Sequence, residues 1–127
     1  MNESTSTYIA VTVGAFRLAL PAAAVHGVVT DVLNGEPTSF RGQRLPVIDL
    51  AAVFAGTRRL VAPFAVVTSA RGDIVLVGVD RVGHEPLRGN PIAVPKLGLL
   101  RPDLFEGALR GPDGLTLILS PRSLIGL

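Results

Sequence analysis

Two histidines, His26 and His84, and ten acids are the residues from which a metal site or acid–base chemistry would have to be built; there is no cysteine. The histidines stand in similar surroundings, His26 after Val25 and His84 after Val82-Gly83. A zinc site takes about four ligands, typically three or more from the protein. Asp31 or Glu85 could be recruited, but two partly exposed strand histidines explain the pair more simply, and no metal ligand is assigned. Acid–base catalysis needs groups converging on one reacting centre. The acids here stand singly, mostly beside Gly, Pro or Arg, and Asp80, at a strand end, reads as a turn residue. No nucleophile elbow and no glycine-rich loop ahead of a lysine occurs; Lys96 is the single lysine. Arg71-Gly72-Asp73 spells an adhesion tripeptide but lies where a hairpin turn is expected. No catalytic residue and no cofactor is assigned, and the chain is expected not to be an enzyme.

The elements that would carry these residues fit a small chain. Its 127 residues suffice for one domain or two fused small barrels. The polar start, Asn2 to Thr7, lacks the charged and apolar regions of a signal peptide, so residues 1–7 are expected to be a disordered segment. Apolar runs fall far short of the ~20 residues of a membrane span, so no membrane insertion and a cytoplasmic location are expected. The sequence pI is about 9.9, yet the formal net charge is only +2. Eleven of the 12 basic residues are arginines, scattered with one adjacent pair, Arg58-Arg59, and the six aromatics do not sit among them. Nucleic-acid binding needs clustered cations and stacking platforms; a small basic β-barrel on nucleic acid is therefore the alternative rather than the preferred reading.

Along the chain, Tyr8 to Val13 and Phe16 to Leu20 predict a hairpin with Phe16, Leu18 and Leu20 facing inward. Val25 to Val29 and Arg44 to Ile48 predict further strands. Asp49 stands where a helix N-cap belongs, before Leu50 to Ala55, and Gly56 supplies the stop. Phe64 to Ser69 and Ile74 to Val79 flank a turn at Ala70 to Asp73. Val82 to Leu87 and Ile92 to Val94 are short and broken by Pro86, Pro91 and Pro95. Leu115 to Leu119 ends at Ser120, which caps a second helix with Pro121 at its first position.

The halves repeat. Ile48-Asp49-Leu50 lies 71 residues before Leu119-Ser120-Pro121, Phe40-Arg41-Gly42 lies 65 before Phe105-Glu106-Gly107, and Leu18 lies 58 before Leu76. The order is kept while insertions shift the offset, as in an internal duplication. The expected architecture is all-β: two small pseudo-duplicated five-stranded β-barrels with short capping helices, the first over about residues 8–60 and the second over about 61–127.

Phe40-Arg41-Gly42-Gln43-Arg44-Leu45-Pro46-Val47-Ile48-Asp49-Leu50 resembles the signature of the CheW-like coupling proteins of bacterial chemotaxis: Arg-Gly, a short spacer, then Pro-Val-Ile/Val-Asp-Leu. Phe16 to Val29, Val75 to Val82 and Phe105 to Ile125 are similar to other stretches of that family, in order. The resemblance implies a CheW-like domain over residues 8–127 made of two packed five-stranded barrels. It also implies a non-enzymatic adaptor that binds the cytoplasmic tip of a methyl-accepting chemoreceptor and modulates receptor–kinase arrays in motility signalling. A CheA-type histidine kinase regulatory domain and other CheW-like proteins are the further partners it implies. Receptor helices would enter a groove between the barrels, walled by Val25 and Val28 on one side and by Val82 and Leu87 on the other, with Arg41 at its edge.

Two departures bear on function. Thr30 to Phe40 spans eleven residues, about ten fewer than is usual in the family, with Ser39-Phe40 in place of Asn-Leu. This segment helps form the kinase-docking surface in the family, so weak or absent kinase docking is expected. Gly27 occupies the position of an acid that commonly partners the arginine, so Arg41 would need Asp31 or Glu85 instead.

Overall fold

The computed structural model describes residues 6–34, 36–56, 59–94, 101–112 and 114–125. The β-branched run opens as β1 (Ser6–Val13), and the turn at Gly14, with φ +58°, returns it as β2 (Phe16–Pro21). Ser6 and Thr7, expected within a disordered segment, pair with Gly89 and Arg88. A single 3-10 turn, Ala22–Ala24, leads into β3 (Val25–Leu33). Strands β4 (Thr38–Phe40) and β5 (Gln43–Leu45) form a tight hairpin whose turn residues, Arg41 and Gly42, both have positive φ. That is the twist-matched geometry of two-residue hairpin loops. The expected strand over Arg44 to Ile48 is broken at Pro46, which has no N–H to donate. The chain changes sheets there and continues as β6 (Val47–Asp49).

Helix α1 (Leu50–Ala55) follows the Asp49 cap and ends at Gly56 in the left-handed conformation, both as the residue types require. The third hairpin, β7 (Val61–Ala70) and β8 (Asp73–Val79), turns at Arg71-Gly72, so the Arg-Gly-Asp sequence is a hairpin turn. Then come two short strands, β9 (Arg81–Val82) and β10 (Leu87–Gly89), separated by a bend containing Pro86. The last elements are β11 (Phe105–Gly111), β12 (Gly114–Leu119) and α2 (Pro121–Ile125).

The first sheet has the order β10-β1-β2-β12-β11, with β9 also on the outer edge of β1; the second has the order β3-β7-β8-β6. The halves are exchanged between them. The β1–β2 hairpin takes β9, β10 and β12 from the second half, and the β7–β8 hairpin takes β3 and β6 from the first. A division into one barrel over residues 8–60 and another over 61–127 therefore does not describe the sheets. Nor do their ladders close into five-stranded barrels. In the first sheet one antiparallel bridge, Ile92 to Ala108, is the closure found beyond β10 among the described residues. Pro91, next to Ile92, cannot donate to a ladder. Among the described residues, the hairpin β4–β5 pairs only with itself.

The main core lies between the sheets. Val11, Val13, Leu18 and Leu20 of the first meet Val66, Val75, Val77 and Val79 of the second, with Leu50 and Leu124 of the two helices. Phe16 shares the inward face of Leu18 and Leu20, opposing Val13, but at the hairpin end it is left 48% exposed. Its ring centroid lies 5.9 Å from that of Phe54 of α1, which stacks at 5.7 Å on Phe105 of β11. Such pairs add to simple burial. Two smaller clusters cover the outer faces, Val32, Leu45, Ala65, Val67 and Leu76 on the second sheet, and Tyr8, Ala19, Leu109 and Ile118 on the first.

Candidate protein-docking site

Strand β3 is an edge of the second sheet, so one side of its backbone is unpaired within that sheet. Directly opposed residues of an antiparallel pair share a face. Val28 opposes Val66 and Val25 opposes Thr68, which in turn oppose Val77 and Val75, so both valines project toward the inter-sheet layer. Val25 packs there half-buried; Val28 remains 44% exposed. Val82 reaches the same layer from the other sheet, opposing Val11. Leu87 does not. It opposes Tyr8, three residues from Val11 and so on the other face of β1, and packs with the Tyr8 cluster.

Arg41 lies on the far side of β3. The Phe40 ring sits over Gly27, where an added Cβ would come within 3.6 Å of Phe40 Cζ, and the Arg41 guanidinium lies 5.0 Å from that ring's centroid. The ring thus lies over Gly27 at van der Waals distance from where a Cβ would stand, and a cation–π contact holds the arginine. Neither Asp31 nor Glu85 forms an ion pair with Arg41 among the described residues. Val25, Val28 and Arg41 therefore surround one edge strand, Val82 faces it across the core, and Leu87 stands apart.

Behind this edge is a charged junction whose hub, Arg59, was not marked by any motif. Arg59 bonds Asp80 through Nη1 and approaches Asp49 Oδ1 through Nη2 at 3.4 Å. Asp49 also accepts from the Ala51 N–H at 3.1 Å, as the N-cap of α1, and Asp80 Oδ2 accepts from the Gly14 N–H at 2.5 Å. Asp80 is thus a turn residue, as its position predicts, and also an ion-pair partner. The Arg59 carbonyl accepts from Asn34 Nδ2 at 3.0 Å. The one sequence signal for this residue was the adjacent arginine pair, and spacing alone cannot tell a hub from a solvated loop cation. At the start of α2, Ser120 Oγ accepts from the Ser123 N–H at 3.3 Å.

Among the described residues, no group of three or more His, Asp and Glu side chains is placed to hold a metal. His26 Nε2 shares a 2.5 Å hydrogen bond with Ser69 Oγ, and His84 is exposed. Burial pushes the Glu106 carboxyl above its ordinary value, and the Arg101 guanidinium holds Asp103 below its own.

No family model matches the sequence, and no curated protein matches it significantly. Among solved structures, the chain is similar to the scaffolding protein CheW of Thermoanaerobacter tengcongensis, with a TM-score of 0.79 and 20% identity over 92% of this chain and 90% of that one. The chain has the CheW-like fold. The Pro-Val-Ile-Asp-Leu block of this CheW-like chain is where the path turns from β5 into β6 and then into the Asp49-capped helix, so the motif marks a change of sheet. The Gly27 position is covered by the neighbouring Phe40 ring. No helix among the described residues is long and apolar enough to cross a membrane.

Proposed function

We propose that this chain is a non-enzymatic, cytoplasmic coupling adaptor of a chemosensory array. It binds the helical cytoplasmic tip of a methyl-accepting chemoreceptor along β3, with Val25, Val28 and Val82 receiving an apolar helical stripe and Arg41 meeting polar groups at the rim. The observation that carries the reading is the CheW-like fold, spanning nearly the whole chain of a protein described as a scaffold. The edge itself supports it: Val28, Leu33 and Val61 are each more than a third exposed. Helix-in-groove recognition works by burying such residues. Leu87, on the opposite face of the first sheet, is left out of the contact.

The short Thr30 to Phe40 segment supports weak or absent docking on a CheA-type kinase regulatory domain. An adaptor of that kind would re-space or cap receptor arrays without itself relaying to the kinase. Calorimetric titration with a receptor tip and, separately, with the kinase domain tests both parts. Tip binding that falls roughly tenfold or more in Val28→Asp, with unchanged thermal stability, is expected. Kinase binding as tight as tip binding would sink the docking-deficient part, and binding to neither would sink the whole reading.

A further inference from the structure

The hairpins β1–β2, β4–β5 and β7–β8 each reverse through a two-residue turn whose first residue has positive φ, and they fill that position differently. The β1–β2 turn uses Gly14, with φ +58°. The β4–β5 and β7–β8 turns use Arg41, with φ +51°, and Arg71, with φ +53°, each followed by a glycine that is also at positive φ. Two-residue loops of this kind favour Asn, Asp or Gly there. Glycine has no Cβ to clash, and Asn and Asp gain local hydrogen bonds from a short side chain. A long guanidinium side chain has neither advantage. Arginine thus stands at two turns where a smaller residue would be the more stable choice. Non-glycine residues held in this region cluster at ligand clamps and other functional sites.

Both tips reach the first half of β3, where Val25 and Val28 lie. Arg41 follows Phe40, whose ring lies over Gly27, and the cation–π contact with that ring orders the guanidinium. One residue earlier on β3, His26 Nε2 meets Ser69 Oγ at 2.5 Å. Arg71 is two residues past Ser69, so the Cα atoms of these two are within about 7 Å of each other. Both arginines are exposed, and neither forms an ion pair among the described residues.

The guanidinium fork matches carboxylate oxygens two at a time. Fixing the backbone that carries it lowers the ordering cost of binding. The residues beside the tips favour a protein as the source of the carboxylates: Val28 is 44% exposed and offers apolar contact. Single-stranded nucleic acid relies on stacking platforms, and the Phe40 ring is already taken up by Gly27 and Arg41.

We propose that the segment docking on β3 is acidic as well as apolar, and that Arg41 and Arg71 are kept at these two tips to pair with carboxylates flanking its apolar stripe. The proposal rests on the coupling reading of the β3 edge and adds the chemistry of the partner.

The test compares Arg41→Asn, Arg71→Asn and the double variant with the unaltered full chain in two measurements. Urea midpoints should hold or rise, because Asn suits the turn. Calorimetric affinity for a receptor tip should nonetheless fall, roughly tenfold or more in the double variant. The affinity of the unaltered chain should also weaken more steeply with salt than that of the double variant. Arg88→Gln on β10 should leave the affinity unchanged. Equal tip affinity in the unaltered chain and the double variant would overturn the proposal and leave the coupling reading intact. Lowered urea midpoints in both single variants would overturn it too, since the arginines would then be serving their turns. Should the tip not bind at all, the coupling reading fails, and a helical peptide of Glu, Ala and Leu decides the proposal beside its glutamine counterpart. Saturable amide shifts at Gly42 and Gly72 with the acidic peptide alone would sustain it. Equal shifts with both peptides, no shifts, or tighter binding of a single-stranded oligonucleotide to the same residues would overturn it.

Discussion

The two strand-to-helix corners have one plan and two chemistries. At each, a terminal strand runs parallel to the second strand of the other half's hairpin: β6 beside β8, β12 beside β2. A capping residue then starts a short helix that sends one fully buried leucine, Leu50 or Leu124, into the same core. At the Asp49 corner the cap is charged. It shares Arg59 with Asp80, whose other oxygen receives the Gly14 N–H, so that corner ties α1, the approach to β7, the end of β8 and the first hairpin turn. At the Ser120 corner the cap is neutral and its hydroxyl acts within its own helix. The backbone does the joining there, with the Ser120 N–H donating to Leu104 O at 2.7 Å. A carboxylate has two oxygens and a charge, and can serve a helix and a distant cation together; a hydroxyl can cap the helix but has no charge to pair with a cation.

That comparison can be broken at several points. The largest effects should be the same at both corners: Leu50→Ala and Leu124→Ala are each expected to lower unfolding free energy by about 3 kcal/mol in urea melts. Losses differing by more than ~2 kcal/mol between them would show that one helix is not integral to the core. Next should come Gly78→Ala on β8, beside Asp49. Its Cβ would meet Ala62 Cβ at 3.0 Å and Ile48 O at 3.4 Å. Overpacking of this kind costs roughly 1–3 kcal/mol.

The contrast between caps sharpens with Asp49→Ala and Ser120→Ala. The serine change should cost about 1 kcal/mol as a lost cap. The aspartate change should cost about 2 kcal/mol, because the part-buried Arg59 also loses a carboxylate. Equal losses would mean that Arg59 contributes nothing beyond the cap. The smallest effect concerns Glu106, which lines a hollow with Ser120 and Arg122. Its folded-state pKa is raised by burial, so its ionisation opposes folding above the ordinary carboxylate range, and that penalty disappears as pH falls below it. Glu106→Gln should therefore stabilise slightly at neutral pH, by under ~0.5 kcal/mol, and not at acidic pH. An equal gain at both pH values would exclude ionisation as the cause.

The resemblance at Arg41-Gly42 through Asp49-Leu50 made the fold legible, and local rules placed the turns after Val13 and at Ala70 to Asp73, the Asp49 cap with its Gly56 stop, and the Ser120-Pro121 start, while the β4–β5 hairpin at Arg41-Gly42 went unread. Each depends on residues within a few positions of one another, where side-chain type and backbone preference act directly. Which strands would pair across the halves was not legible. Apolar strands from duplicated halves are nearly equivalent partners, and the choice of β3 for β7 and of β9 and β10 for β1 is made by the packing of the whole. Leu87 faces away from Val82 by alternation alone, five residues on, because the two-residue register shift between β9 and β10 preserves the face; tertiary structure decided the charged contacts. It assembled Arg59, Asp49 and Asp80 from positions up to 31 residues apart. Electrostatic contacts of that kind carry no local periodicity. They depend on distance in space, which the sequence sets only through the completed fold.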